Sequence, residues 1–199
     1  MPEQNTKEWD DIRACKITGS RFGDVLAAPT TKRYKNYMQE IIDNIMGVPY
    51  FDDDKPWFRH GKEWEAQARA EYEFQTGLDV EQDFFFVHPE IPYVGCSPDG
   101  HIKPDGNLEI KSHKGIPEQI KSVLPSANKP QVYGQMWITG RKWTDFVDFY
   151  KDEYTEDTAI NILRVLPDEK YFKKLETACC AFWGKIQDRL PKHLKSKQG

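Results

Sequence analysis

The stretch SPDGHIKPDGNLEIKS, residues 97–112, decides how this chain is read. Two Asp-Gly pairs, at Asp99 and Asp105, are turn chemistry, and the LEIKS that follows alternates as a strand does. Side chains alternate across a strand, so Glu109 and Lys111 share one face while Ile110 takes the other. A turn centred near Asp105–Gly106 brings Asp99 back opposite roughly Lys111. Two carboxylates and an amine then converge at one end of a hairpin. Carboxylates this close repel unless something positive sits between them. A divalent cation supplies that charge, and oxygen-only ligation favours Mg2+ or Mn2+ over zinc. Glu-x-Lys alone also fits a salt-bridged edge strand. The apolar neighbours Val94, Leu108 and Ile110 favour the paired or metal-bound arrangement, because they place these charges close to a core, where unpaired charge is costly.

Working outward, the periodicity before the hairpin is helical. ITGSRFGDVLA reads as a short helix opening near Thr18–Ser20, both good caps. TKRYKNYMQEIIDNIMG puts Tyr37, Ile41 and Ile45 on one face, with Gly47 as its stop. FDDDKP reads as an acidic loop, and Trp57 to Phe74 as a helix ended by Gly77. The period then changes: DVEQDFFFVH, YVGCS and LEIKS read as strands, with KPDGN as the turn between the last two. KPQVYGQMWITG is a buried helix, and WTDFVDFY and INILRVL are two more strands. A final helix over about 168–190 turns Phe172, Leu175, Cys179, Phe182 and Ile186 inward. This order predicts an α/β fold: a central mixed β-sheet flanked by α-helices, in one domain over residues 1–199.

Composition narrows the function classes. No apolar run approaches the roughly 18 residues of a membrane span, and MPEQNTKEWDD is not a signal peptide, so a cytoplasmic location is expected. Cys15, Cys96, Cys179 and Cys180 lack the clustering of an iron–sulfur ligand set and read as reduced, mostly buried thiols. Net charge is −4, unevenly placed: residues 185–199 carry +4 and the remainder −8. None of the five histidines is paired at zinc spacing, and His113, close after Lys111, is the one worth testing. Arg13, Thr18 and Ser20 cluster before the first expected helix, where free N–H groups and a guanidinium suit a phosphate.

The PDG of Asp99, followed ten residues later by the EIK of Glu109, resembles the PD-(D/E)xK nuclease motif. The wider series resembles the phage lambda exonuclease family of 5′→3′ recombination exonucleases. It runs from Trp9, Arg13, Thr18 and Ser20 through Gly61, Lys62 and Glu65 to SPDG…EIKS and QVYGQMW. The resemblance implies a restriction-endonuclease-like core and a Mg2+-dependent enzyme with two metals per site, Mn2+ substituting. Asp99 and Glu109 would bind the metals, with the Ile110 backbone carbonyl as a further ligand and Glu65 acting through water. Periodicity cannot choose between Glu63 and Glu65; the family spacing favours Glu65. Lys111 would orient and help activate the attacking water, its pKa depressed beside a metal. Gln131 matches the family's helix glutamine, with Gln135 as the alternative. Arg13, Thr18, Ser20 and Ser97 would hold the 5′-terminal phosphate, and Trp9, Lys32, Arg33 and Lys35 are candidate DNA contacts.

The implied partners are double-stranded DNA ends, a homotrimeric ring of the chain and a single-strand annealing protein, in a bacterial host cytoplasm and encoded by a phage or prophage. The implied reaction digests one strand of linear duplex DNA and leaves a 3′ overhang. Two other readings stand beside it. One is another nuclease of the same fold, restriction-type or Cas4-like, the latter wanting the iron–sulfur cysteines that are missing here. The other is a catalytically silent DNA-end-binding scaffold, which need not keep Asp99, Glu109 and Lys111 together.

Overall fold

The glycines expected to stop the first long helices do so. In the computed structural model, which describes residues 7–48, 56–82, 84–120 and 122–195, α3 (Lys32–Ile45) and α4 (Pro56–Thr76) are each followed by a left-handed glycine. Gly47 has φ +74° and Gly77 φ +68°, a region that residues with a Cβ rarely adopt. Tyr37 and Ile41 are buried and Ile45 partly buried, as the α3 stripe predicts. The acidic loop lies outside the described residues.

The chain before α3 differs from expectation. It forms α1 (Lys7–Ala14), a two-residue strand β1 (Ile17–Thr18), a 3-10 turn (Gly19–Arg21) and a four-residue helix α2 (Phe22–Val25). Ile17 and Thr18 pair in parallel with Val94 and Gly95, so they are committed to a sheet and cannot open a helix. Thr18 caps nothing; its N–H donates to Tyr37 Oη at 2.9 Å.

The strands after α4 are β2 (Val80–Glu81), β3 (Phe86–Val87), β4 (Val94–Cys96), β5 (Gly100–Ile102) and β6 (Gly106–Lys114). Then come α5 (Lys129–Thr139), β7 (Trp143–Lys151), β8 (Thr158–Val165), α6 (Glu169–Arg189) and α7 (Lys192–Lys195). They make two sheets rather than one: a five-stranded sheet ordered β2-β5-β6-β7-β8 and a three-stranded sheet ordered β1-β4-β3. The stretch read as one strand, DVEQDFFFVH, is thus split, β2 going to the large sheet and β3 to the small one. YVGCS also belongs to the small sheet, and the arm that pairs with β6 is β5.

The large sheet is mixed. β6 and β7 run parallel and are joined across α5, while the β2–β5, β5–β6 and β7–β8 pairs are antiparallel. Helix α4 covers one face, packing Trp64, Ala68 and Tyr72 over Ile102, Leu108, Ile110, Val147 and Phe149. Helix α5 covers the other, setting Val132 and Met136 against Phe146 and Val165. A third cluster joins α2, α3 and α6 to the small sheet; there Leu175, Cys179, Phe182 and Ile186 of α6 are buried as predicted, and each contributes about 1.5–3 kcal/mol for a large apolar side chain. Phe172 is only partly buried and packs at the α5 cluster. Cys96 and Cys179 are buried free thiols, Cys15 is partly buried and Cys180 exposed. Among the described residues no helix is long and apolar enough to cross a membrane.

Alternation along β6 follows from this layering. Leu108 and Ile110 face α4, so Glu109 and Lys111 must face the α5 side. A buried strand at the centre of the sheet therefore carries two charged groups inward.

Candidate active site

The hairpin register sets the site. Gly100 pairs with Leu108 and Ile102 with Gly106, so the turn is Lys103–Asp105 and Asp99 arrives opposite Glu109. The expected partner was Lys111, two residues on; the turn sits one residue earlier than the Asp-Gly pair suggests. The Asp99 N–H donates to the Leu108 carbonyl at 3.0 Å, and the Ile110 N–H donates to Asp99 Oδ2 at 2.7 Å. The two carboxylates are therefore neighbours on one face.

Glu109 is fully buried. Its Oε1 accepts from Lys111 Nζ at 2.5 Å and its Oε2 from Gln135 Nε2 at 2.5 Å. The helix glutamine that reaches it is thus Gln135, the alternative, and not Gln131. Gln131 lies one turn earlier on α5 and is partly buried, and its side chain makes no hydrogen bond among the described residues. The i,i+4 spacing keeps both on one helix stripe, but only the deeper one meets a strand residue as buried as Glu109.

Burial, and next the Glu109 charge, push the Asp99 carboxyl well above its usual range; Glu65 adds to this, while Lys111 and the Ile110 N–H oppose it. For Lys111, burial acts downward but is outweighed by Glu109, Asp99 and Glu65, so its pKa is raised. The depression expected of Lys111 belongs to the metal-bound site, where a cation would offset these carboxylates. With carboxylates alone around it, the amine keeps its proton.

Glu65 comes to the site from α4. Its charge acts on both Asp99 and Lys111. The Glu63 side chain, like those of Trp9 and Lys62, lies outside the described residues. Sequence reading missed Arg69, whose Nη2 donates to Glu65 Oε1 at 2.9 Å and to the Asp99 carbonyl at 3.0 Å. The signal was present as an i,i+4 carboxylate–guanidinium pair on a helix.

Among the described residues no three His, Cys, Asp or Glu side chains already stand together as a metal-ready group. Glu65 is drawn to Arg69, and Glu109 to Lys111 and Gln135. The donor set still fits a hard divalent cation. It is all oxygen, and burial together with the neighbouring Glu109 charge pushes the Asp99 carboxyl well above its usual range, a cost that a bound cation would offset. Gln135 Oε1 is also buried with no hydrogen-bond partner among the described residues, leaving an acceptor for an ion's water.

The expected phosphate patch is assembled in part. Parallel pairing of β1 with β4 brings the Gly19 region against Cys96, where a Cβ on Gly19 would lie 3.1 Å from the Cys96 Cβ. Ser20 and Ser97 each follow that contact by one residue; Ser20 is exposed and Ser97 partly buried. Thr18 is a correction: it is buried, and its amide and hydroxyl both meet Tyr37 Oη, at 2.9 and 3.4 Å. Burial pushes the Tyr37 phenol up to about 12, so it stays neutral. The helix-terminus argument lapses too, since α2 is only four residues long. Arg13 is partly buried in the last turn of α1. Arg33 pairs with Asp24 at 3.1 Å and donates to the Gly23 carbonyl, while Lys32 and Lys35 are exposed.

The architecture has known counterparts. The chain superposes on LHK-Exo, an alkaline exonuclease from Laribacter hongkongensis, with a TM-score of 0.78, 29% identity, and 96% of this chain and 97% of that one covered. LHK-Exo has also been crystallised in complex with dAMP, with the same similarity. A phage related exonuclease from Haemophilus somnus 129PT shares the fold, with a TM-score of 0.64, 12% identity, and 89% and 96% coverage. No curated protein matches the chain by sequence. The YqaJ-like viral recombinase domain matches residues 8–142, which hold Arg13, Glu65, Asp99, Glu109, Lys111 and Gln135. The chain belongs to the YqaJ-like viral recombinase family, a lambda-exonuclease-like group of nucleases.

Proposed function

We propose that this protein is a Mg2+-dependent exonuclease that digests the 5′-ended strand of linear duplex DNA in the 5′→3′ direction and leaves a 3′ overhang. The observation that carries this reading is the pairing of Asp99 against Glu109, with Lys111 bound to Glu109 Oε1. Asp99, Glu109 and the Ile110 carbonyl would hold two Mg2+ ions, Glu65 acting through water and Mn2+ substituting. Bound Mg2+ would supply Lewis-acid charge to both ends of an in-line displacement at phosphorus. Lys111, protonated and fixed by Glu109, orients the attacking water and faces the negative charge that builds on the phosphoryl oxygens. Gln135 holds the other Glu109 oxygen and so fixes the carboxylate that fixes the lysine. Gln131, nearer the start of α5, is the residue left to meet substrate.

Direction comes from the terminal phosphate, which Arg13, Ser20 and Ser97 would bind, with Thr18 and Tyr37 as their support. A deoxynucleoside monophosphate, the class of ligand crystallised with LHK-Exo, is the product that such digestion releases. The acidic body of the chain repels DNA at long range, so a closed homotrimeric ring that holds the duplex belongs to this proposal. A single-strand annealing protein in a bacterial cytoplasm would take up the overhang, consistent with a phage or prophage gene. Trp9, Lys32 and Lys35 remain candidate backbone contacts.

The test is digestion of linear duplexes bearing 5′-phosphate or 5′-hydroxyl ends, with and without Mg2+, beside a closed circle. The reading expects mononucleotides from phosphorylated linear DNA, in Mg2+ only, and no cutting of the circle. Cleaved circles would mark an endonuclease, and binding of ends without products a silent scaffold.

A further inference from the structure

Two residues beyond Lys111, and on the same face of β6, stands a histidine that the proposed chemistry does not use. Strand geometry places His113 about 6.8 Å further along from Lys111. Its ring is held twice over. Nε2 lies 2.7 Å from Asp148 Oδ1, and the ring stacks on Tyr150 with centroids 4.8 Å apart and planes at 22°. Asp148 sits beside Lys111, and Tyr150 beside His113, in the parallel register of β6 and β7. The Asp148 side chain is only 7% exposed, whereas that of His113 is 43% exposed. A buried carboxylate and an aromatic face thus fix an imidazole that remains open to solvent, next to the proposed hydrolytic centre. Rigid, pre-oriented donors of this kind serve binding better than they serve packing, since little side-chain freedom is left to lose.

Resting on the reading of Asp99, Glu109 and Lys111 as that centre, we infer that His113, set by Asp148 and Tyr150, binds the DNA phosphate on the 3′ side of the scissile one. Asp148 accepts from Nε2, which leaves Nδ1, on the other edge of the ring, for a phosphate oxygen; between two anions the ring acts as an imidazolium, donating on both edges and bridging carboxylate and phosphate. The placement follows from the sheet. Ser97, of the proposed terminal-phosphate patch, precedes β5 on one side of β6, and the His113 ring lies over β7 on the other. A strand entering from that patch and crossing Lys111 arrives next at His113.

The experiment is single-turnover cleavage in Mg2+ of two 5′-phosphorylated duplexes. In one, the phosphodiester on the 3′ side of the scissile bond is replaced by an uncharged methylphosphonate. Wild-type protein should lose roughly tenfold or more in kcat/KM on the modified duplex, the usual worth of a hydrogen bond to a charged group. His113→Ala should lose a similar factor on the unmodified duplex, chiefly through KM, and then show no further loss on the modified one. Asp148→Asn, which keeps the imidazole but not its carboxylate, should fall between. Equal methylphosphonate losses in wild type and His113→Ala would overturn the assignment, as would a wild type indifferent to the modification. If the wild type leaves the unmodified duplex intact, the nuclease reading fails and takes this inference with it.

Discussion

Gln135 and Glu109 lie 26 positions apart in the chain and meet at 2.5 Å in the interior, an amide donor against a fully buried carboxylate. Among the described residues Glu109 is held by this amide and by Lys111, so the amide is part of what aims the lysine. Replacing Gln135 with Leu should therefore lower single-turnover cleavage about 10–100-fold, the usual cost of losing a group that orients a metal ligand. Gln131→Ala should leave the Glu109 geometry intact and raise KM more than it lowers kcat. The reverse ranking of the two variants would show that Gln131, not Gln135, governs the carboxylate.

The burial of Asp99, beside the Glu109 charge, makes a second prediction, for the metal-free protein. A carboxyl whose pKa is raised on folding contributes stability that is complete below its unfolded value, about 4. That contribution is lost as pH rises through the folded value. Metal-free wild type should thus melt lower as pH climbs from mild acid to neutrality, and Asp99→Asn should flatten that slope. At neutral pH in chelator the variant should melt above wild type, by roughly 2–4 °C for each kcal/mol relieved. Added Mg2+ should stabilise wild type more than the variant. A variant that melts below wild type in chelator would count against a cost of burying the Asp99 charge beside Glu109.

Arg69 supplies a fixed positive charge between Glu65 and the Asp99 backbone. Its removal leaves the acidic cluster short of a counter-charge. Arg69→Gln should lower the metal-free melting temperature and enlarge the stabilisation produced by Mg2+, as thermal melts across a Mg2+ series would show. An unchanged Mg2+ response would confine Arg69 to a surface ion pair.

What the sequence reveals follows from how local each signal is. Helices α3, α4 and α6 repeat their apolar spacing over several turns. Helices α3 and α4 close on glycine, and α6 opens on Asp168, whose side chain caps its first turn. Their positions are therefore legible, as are the inward faces of α3 and α6. Residues Asp99, Glu109 and Lys111 are legible because one hairpin holds them. The split into two sheets is not, since β1, β2 and β3 are two residues each and show no alternation to count. The grip of Gln135 on Glu109 depends on how α5 sits across β6, and Asp148 reaches the Lys111 neighbourhood only through parallel register. Thr18 reads as a cap by composition, but tertiary pairing of Ile17 and Thr18 with β4 overrides that local preference.

Gly134 shows how the site depends on that docking. A Cβ added there would press into the ring of buried Phe22, so either Phe22 or α5 must shift if glycine is replaced. Gly134→Ala should cost about 1–3 kcal/mol in denaturant unfolding, as overpacking does. It should also weaken cleavage in the folded fraction, because Gln135 moves with the helix. Full stability and activity in this variant would mean that the shift is made without cost to the packing or the site.

The most direct test of the account is cleavage of 5′-phosphorylated linear duplex in Mg2+ by wild type, Asp99→Ala, Glu109→Ala and Lys111→Ala, with binding to the same DNA ends followed in parallel. The account predicts mononucleotide release by wild type and none by either carboxylate variant, both still folded and end-binding. Lys111→Ala should be slowed at least about 100-fold, in line with the worth of a positioned proton-bearing group. Wild-type release of mononucleotides by Asp99→Ala or Glu109→Ala would contradict it.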